Sequence, residues 1–233
     1  METINKKENK LVFSAEIENV LVNAIRRYVY QIPVVAVNDV EISKNDSALY
    51  DETIAHRIGL IPLKAKKQKG TLKLKTKKKG FVYSGELHGD ANVVYEKIPI
   101  TLLDEGQELE IKANLRLGKG AEHSRFTPGI MFFRNAAEIS LDKNLKEDIK
   151  KNFPNLEFSE KGDRIIIKDD REREVSDVCE GFVGKLGKNA EIKEGKKLII
   201  SLESFGQIKV EEIFTRAIEE LKKDLEGVSK GLK

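Results

Sequence analysis

Two helical segments, each with one apolar face, lie near the two ends of the chain and enclose a long region rich in strand-like runs. Residues 18–31 place Val20, Leu21 and Ile25 on one side of a predicted helix, because side chains three or four positions apart share a helix face. A wider stripe runs along the predicted helix at residues 210–226 and includes Phe214, Ile218, Leu221 and Leu225. A stripe this wide fits either a core or a partner surface.

The region between these helices alternates β-branched runs with glycine and aspartate. Strand-like runs at residues 81–87, 93–102 and 108–117 are separated by Gly89-Asp90 and Asp104-Glu105-Gly106, which favour turns. Residues 141–196 combine a charged helical stretch with a further strand-like run. The pattern predicts an α+β fold with a β-rich middle region and a small appendage.

The composition limits the classes of protein and cofactor. The 233 residues include 42 basic and 39 acidic side chains, a balance that argues against a protein that coats nucleic acid uniformly. Cys179 is the single cysteine, so the chain can form neither an internal disulfide nor a cluster of thiolates. No signal-peptide core is present, and no apolar run approaches the roughly 20 residues of a membrane span. We expect a cytoplasmic protein without a metal or other cofactor.

Candidate catalytic groups are few. Glu52 and His56 share a predicted helix face, and together with His123 they are the residues around which a metal-dependent hydrolase could be built. No second pair of ligands is visible, and we expect His56 to make a local hydrogen bond instead. The glycines at 118 and 120 lack the spacing of a nucleotide-binding loop. The sequence therefore predicts no catalytic residue.

A lysine run extends from Lys64 to Lys79 and contains nine lysines and no acidic residue. Such a run could bind nucleic acid by releasing counterions from phosphates. It contains no arginine and no aromatic side chain that could stack on a base. We expect a mobile, solvated loop or the edge of a hairpin, and a free-standing nucleic-acid-binding protein is the alternative function.

Four segments carry a resemblance to a known family. They are NAIRR at residues 23–27 with the strand that follows it, LYDETIAHRIGLIPL at 49–63, GKGAEHSRF at 118–126 and ESFGQ at 203–207. In this order they resemble the alpha-type assembly subunits of multisubunit DNA-directed RNA polymerases, and the archaeal D-type members in particular. The resemblance spans nearly the whole chain.

The resemblance implies a discontinuous alpha-type dimerisation domain made of residues 1–43 and 197–233. A β-rich domain at 44–140 and a small ferredoxin-like appendage at 141–196 would be inserted into it. The chain would be a non-catalytic scaffold in transcription and part of a nucleotidyltransferase only through the complex. Its implied partners are subunit L in a heterodimer, the largest and second-largest subunits, and the small subunits N and P, with DNA reached only through the complex.

The resemblance also assigns surfaces. The apolar residues that would meet subunit L are Val20, Leu21, Ile25, Phe214, Ile218, Leu221 and Leu225. Arg26 and Arg27 match the paired arginines that face the second-largest subunit in this family, and guanidinium groups suit polar contacts of this kind. The alternative is that one of the two arginines only pairs with a carboxylate of its own domain.

One departure from the family concerns metal. Many archaeal relatives hold an iron-sulfur cluster on four cysteines of the inserted appendage, whereas residues 141–195 of this chain contain only Cys179. One thiolate cannot hold a cluster that requires three or four. We therefore predict a metal-free appendage held together by apolar side chains, namely Ile149, Phe153, Ile165, Ile167, Val178 and Phe182.

Overall fold

The structure is a computed structural model that describes residues 1–152 and 156–232. The strands in these residues are β1 Glu2–Lys7, β2 Lys10–Ala15, β3 Pro33–Asn45, β4 Leu63–Ala65, β5 Lys69–Thr76, β6 Gly80–Tyr83, β7 His88–Gly89, β8 Ala91–Val93, β9 Pro99–Leu103, β10 Leu109–Lys119, β11 Gly129–Asp142, β12 Phe158–Lys161, β13 Arg164–Asp169 and β14 Glu191–Ser204. The α-helices are α1 Asn19–Tyr28, α2 Asp51–Gly59, α3 Lys146–Asn152, α4 Ser176–Lys185 and α5 Val210–Gly231. This content confirms the predicted mixture of helices and strands.

The chain divides into two compact units. The first comprises Met1–Val22 and Met131–Leu202, and the second comprises Asn23–Ile130 and Glu203–Lys233. The inserted β-rich domain and the ferredoxin-like appendage stay predictions, as do their boundaries. No helix in the described residues is long and apolar enough to cross a membrane.

The first unit is built on a sheet whose six described strands run in the order β1-β2-β14-β11-β13-β12. One cluster of buried side chains joins Val12, Ala136 and Ile199. A second cluster lies where β11 and β13 meet α3 and α4, and its buried members are Ile139, Leu141, Leu145, Ile149, Ile165, Ile167, Cys179 and Val183. Alternate residues of a strand share a face, which explains the spacing of the strand residues in this second cluster.

The predicted core of the appendage is only partly correct. Ile149, Ile165 and Ile167 are buried, and Phe182 is half-buried against them. Val178 is 42% exposed, so its assignment to the core was wrong. The inward face of α4 is set by Cys179 and Val183, which are four positions apart, and a residue one position earlier points about 100° away. Phe153 lies outside the described residues.

A buried ion pair fixes the start of α4 in the first unit. The carboxylate of Asp169 is 0% exposed and accepts a hydrogen bond from Arg134 Nη2 at 2.8 Å. It also accepts the main-chain N–H groups of Val175 and Ser176, at 3.2 and 3.1 Å. Asp169 therefore satisfies donors at the helix N-terminus that would otherwise be unpaired.

An exposed carboxylate near β12 is flanked by two lysines. Glu160 accepts hydrogen bonds from Lys143 at 2.7 Å and from Lys146 at 2.5 Å. These hydrogen bonds, that of Lys143 foremost, and the two positive charges lower the pKa of Glu160 to about 2.

The second unit contains a sheet whose described strands run in the order β3-β10-β5-β7. β10 pairs antiparallel with both β3 and β5. Helix α2 lies against β3, and Ile54 and Ile58, four positions apart, join the same hydrophobic cluster as Leu72 and Leu74 of β5. This arrangement accounts for both the helical spacing of α2 and the alternation within β5.

The lysine run is not a loop, so the first of its two expected forms was wrong. Most of its residues form β4 and β5, and β5 lies between β10 and β7 in the sheet. Carboxylates more distant in the sequence balance three of its lysines. The nitrogen-to-oxygen distances are 2.6 Å for Lys75 and Glu110, 3.1 Å for Lys77 and Glu108, and 2.7 Å for Lys79 and Asp104.

Candidate functional site

Helix α5 carries two adjacent apolar stripes. Val210, Ile213 and Ala217 are buried and form the first stripe. The second stripe contains the half-buried Phe214, Ile218 and Leu221, followed by Leu225, Val228 and Leu232 at 59%, 61% and 83% exposure. Every residue from 222 to 232 is exposed. The last turns of α5 therefore present a row of apolar side chains to solvent.

Helix α1 also exposes apolar side chains. Val20 and Leu21 are 84% and 49% exposed, whereas Val22 and Ile25 are buried. Of the three predicted partner residues on this helix, the structure therefore leaves two at the surface and places Ile25 in the interior. The end of α1 is tied to α5, because the hydroxyl of Tyr28 donates to Asp224 Oδ2 at 2.9 Å. The same hydrogen bond raises the pKa of Tyr28 above its ordinary value.

The two predicted platform arginines differ in their surroundings. Arg26 is half-buried and donates from Nε and Nη2 to the side-chain oxygen of Asn23, at 3.2 and 2.9 Å. Arg27 is exposed. The partner of Arg26 is thus an amide one turn earlier on its own helix. The five N–H donors of a guanidinium group leave Arg26 further hydrogen bonds to offer.

The GKGAEHSRF segment acts as a structural clamp. Arg125 Nη1 donates to the main-chain carbonyls of Val37 and Asn38 at 3.0 and 2.7 Å. A Cβ atom at Gly118 would lie 2.8 Å from the ring of Phe126, so only glycine fits there. The segment links the end of β10 and the 3₁₀ turn Ser124–Phe126 to the middle of β3. The hydrogen bonds of Arg125 and the close packing at Gly118 are a structural reason for this motif.

The candidate metal ligands do not form a site. In residues 1–152 and 156–232, no three His, Cys, Asp or Glu side chains lie close enough to hold a metal ion, so Glu52, His56 and His123 are not brought together. His56 and Glu52 are both exposed on α2. His123 instead accepts the main-chain N–H of Arg125 on Nδ1 at 3.2 Å.

The residues present do not fit an iron-sulfur cluster either. Cys179 is 2% exposed and belongs to the hydrophobic cluster of the first unit. Burial, assisted by the charge of Asp169, raises the pKa of this thiol to about 11. A cluster needs several accessible thiolates, whereas this chain offers one protonated, buried thiol.

The exposed stripe on α5 is longer than the sequence pattern predicted. The predicted helix ends at residue 226, whereas α5 continues to Gly231. The signal was present in the spacing, because Val228 and Leu232 continue the alternation of three and four positions set by the preceding apolar residues.

Comparison with known proteins gives one consistent result. The model of a family described as the RNA polymerase Rpb3/Rpb11 dimerisation domain matches residues 13–225. The chain is 33% identical over 216 residues to the DNA-directed RNA polymerase subunit Rpo3 of Thermococcus kodakarensis, which covers 84% of this chain and 83% of that subunit. It is 30% identical over 244 residues to the subunit of the same name from Pyrococcus furiosus, which covers 94% of this chain and 91% of that subunit.

Proposed function

This chain belongs to the RNA polymerase Rpb3/Rpb11 dimerisation-domain family, and from that premise we propose that it is an assembly subunit of archaeal DNA-directed RNA polymerase. It pairs with the smaller subunit L, and the heterodimer is the platform for the large catalytic subunits. It takes part in nucleotidyl transfer only as a member of the complex and contributes no catalytic residue of its own. Its proposed compartment is the cytoplasm.

The observation that carries the proposal is the exposed apolar row on α5. In proteins, helical stability comes mostly from packing of an apolar face, so the last three turns of α5 gain little while their apolar side chains stay in water. Residues 222–232 contain no buried side chain, yet Leu225, Val228 and Leu232 follow one another at spacings of three and four. Such spacing forms a seam against a second helix. A partner that covers this seam would stabilise the helix as it binds.

The remaining surface assignments follow from the same premise. Val20 and Leu21 add exposed apolar area on α1, whereas Ile25 is buried and holds that helix in place through the core. Arg26 and Arg27 offer their guanidinium groups to the second-largest subunit, and the small subunits N and P complete the platform. We retain residues 1–43 and 197–233 as the dimerisation domain, with a β-rich insert at 44–140 and an appendage at 141–196.

The alternative, a free-standing nucleic-acid-binding protein that uses the lysine run, is unsupported. That alternative requires the positive charges of the whole lysine run to be free to bind phosphates. Lys75, Lys77 and Lys79 are each engaged with a carboxylate of the same unit, which reduces the charge available to phosphates.

The test is co-expression with the candidate subunit L, followed by size-exclusion chromatography with light scattering. We expect a stable heterodimer of one copy of each chain. A well-behaved monomer that ignores subunit L would overturn the proposal. Gel-shift titration of the isolated chain with duplex and single-stranded oligonucleotides at several salt concentrations would then test the alternative.

A further inference from the structure

A cleft in the second unit shares no lining residue with the exposed apolar rows of α1 and α5. Its volume is about 480 Å³. Its walls are residues 33–35 at the start of β3, residues 63–68 and residues 206–209 with the first turns of α5. The side chains of Val35, Ala65 and Leu117 line it and are half-buried, together with the buried Val34, Leu63 and Ile208. The cleft thus has an apolar floor.

Four exposed lysines surround this floor without a compensating charge. They are Lys64, Lys66, Lys67 and Lys209. In the described part of the chain, no carboxylate forms an ion pair with any of them. The acidic residue of the lining, Glu212, is already paired with Arg216 at 2.8 Å. The lysine run is therefore divided in two. Lys75, Lys77 and Lys79 pair with carboxylates within the fold, whereas Lys64, Lys66 and Lys67 face this cleft.

Two further features concern hydrogen bonding. Gln207 lines the cleft, and its side-chain oxygen Oε1 is buried with no hydrogen-bond partner among the described residues. A buried acceptor without a partner is costly, and it is satisfied by an N–H donor. Strand β3 is also the outer strand of its sheet among the described strands, and it pairs with β10 on its other side.

We propose that this cleft docks an acidic, extended segment of another polypeptide. Carboxylates of the segment pair with the four lysines, and its apolar side chains cover the floor. One of its main-chain N–H groups donates to Gln207 Oε1 when that side chain turns toward the cleft. A polypeptide supplies all three, and extended segments commonly bind along a free strand edge. A phosphate backbone would satisfy the lysines but would leave the apolar floor uncovered. The site goes beyond the pairing of subunits through α1 and α5, because it uses neither exposed row.

The first experiment measures binding by the full chain with fluorescence anisotropy. The probe is a labelled peptide of roughly ten residues that alternates glutamate with valine, which matches the period of an extended strand. We expect the double variant Lys66→Glu, Lys67→Glu to weaken binding about tenfold or more, because two attractive charge pairs become repulsive. The matched control is Lys73→Glu, Lys78→Glu, two exposed lysines of the same run outside the cleft, which should change the affinity by no more than about twofold.

A second variant tests the polypeptide assignment separately from charge. Gln207→Leu removes the unpaired acceptor and should weaken peptide binding without changing its dependence on salt. Urea unfolding should show a chain at least as stable as the parent, because an unsatisfied buried group has been removed. A variant that binds the peptide as well as the parent would refute the role of Gln207.

Several results would overturn the proposal. They are no binding of the acidic peptide, equal binding of a peptide with lysine in place of glutamate, and equal losses in the two double variants. Tighter binding of an RNA oligonucleotide of equal charge, lost on changing Lys66 and Lys67, would assign the cleft to nucleic acid instead. Pairing with subunit L is measured in parallel, and its retention in the cleft variants separates a failure of this site from a failure of the proposed function.

Discussion

Replacing Leu225 and Val228 by aspartate should abolish pairing with subunit L while leaving the isolated chain folded. Full burial of a Leu or Val side chain is worth about 1.5–3 kcal/mol. The fractions still exposed are 59% and 61%, so coverage by a partner contributes about 1–2 kcal/mol at each position. Two carboxylates must also lose water at the interface, which costs several kcal/mol more. The expected loss is at least about 4 kcal/mol, or roughly a thousandfold in Kd.

The same change should hardly alter the free energy of unfolding of the isolated chain. Both side chains are exposed, and surface substitutions typically alter the free energy of unfolding by about 0.5 kcal/mol or less. Urea unfolding of the isolated variant tests this directly. Isothermal titration calorimetry and size-exclusion chromatography with subunit L then measure pairing.

A matched control lies on the opposite side of the same turns. Lys230 is exposed and points about 160° away from the centre of the apolar row, so Lys230→Asp should pair normally. If the double variant pairs with subunit L as tightly as the parent while its unfolding curve is unchanged, α5 does not form the partner face. The rows assigned to subunit L would then reduce to the two exposed residues of α1.

Three further predictions concern the first unit. Asp169→Ala should lower the free energy of unfolding by about 3–5 kcal/mol, whereas the exposed Asp170→Ala should change it by about 0.5 kcal/mol or less, and equal urea midpoints would contradict this. Cys179, with a pKa raised to about 11, should resist iodoacetamide at neutral pH until denaturant is added, and stoichiometric labelling of the folded chain would be the contrary result. The pKa of Glu160 measured by NMR should be about 2 and should rise in Lys143→Ala. Because that pKa lies below the unfolded value of 4.5, the stabilisation it reports is complete above that value and is lost as the pH falls through about 2.

Much of the secondary structure could be predicted because local spacing decides it. The helix predicted around Glu52 and His56 is α2, Asp51–Gly59, and its two buried isoleucines lie four positions apart. The helix predicted at residues 18–31 is shorter as an α-helix, since α1 ends at Tyr28 and a 3₁₀ turn at Val29–Gln31 completes it. Pro33 prevents continuation, and tightening of a last turn before such a stop is common.

The character of the lysine run could not be predicted because it depends on residues far away in the sequence. Lysine density alone favours a solvated loop. In the fold, antiparallel pairing with β10 places Lys75 opposite Glu110, and Glu108 and Asp104 come from the turn before that strand. The carboxylates that neutralise these lysines are about 30 positions away from them in the sequence. Periodicity within a window does not detect them.

The two stripes of α5 explain why the sequence left the choice between core and partner open. Phe214 and Ile218 each follow a core residue by one position, so the second stripe lies about 100° around the helix from the first. The core stripe ends at Ala217, whereas the second continues to Leu232 and keeps its alternation of four and three positions. A helix shaped only by its own core would have no reason to extend an apolar row about four turns beyond its last buried residue. Under the proposed function, this continued row is the surface that a helix of the partner subunit covers, and its alternation predicts that the two helices cross at a shallow angle.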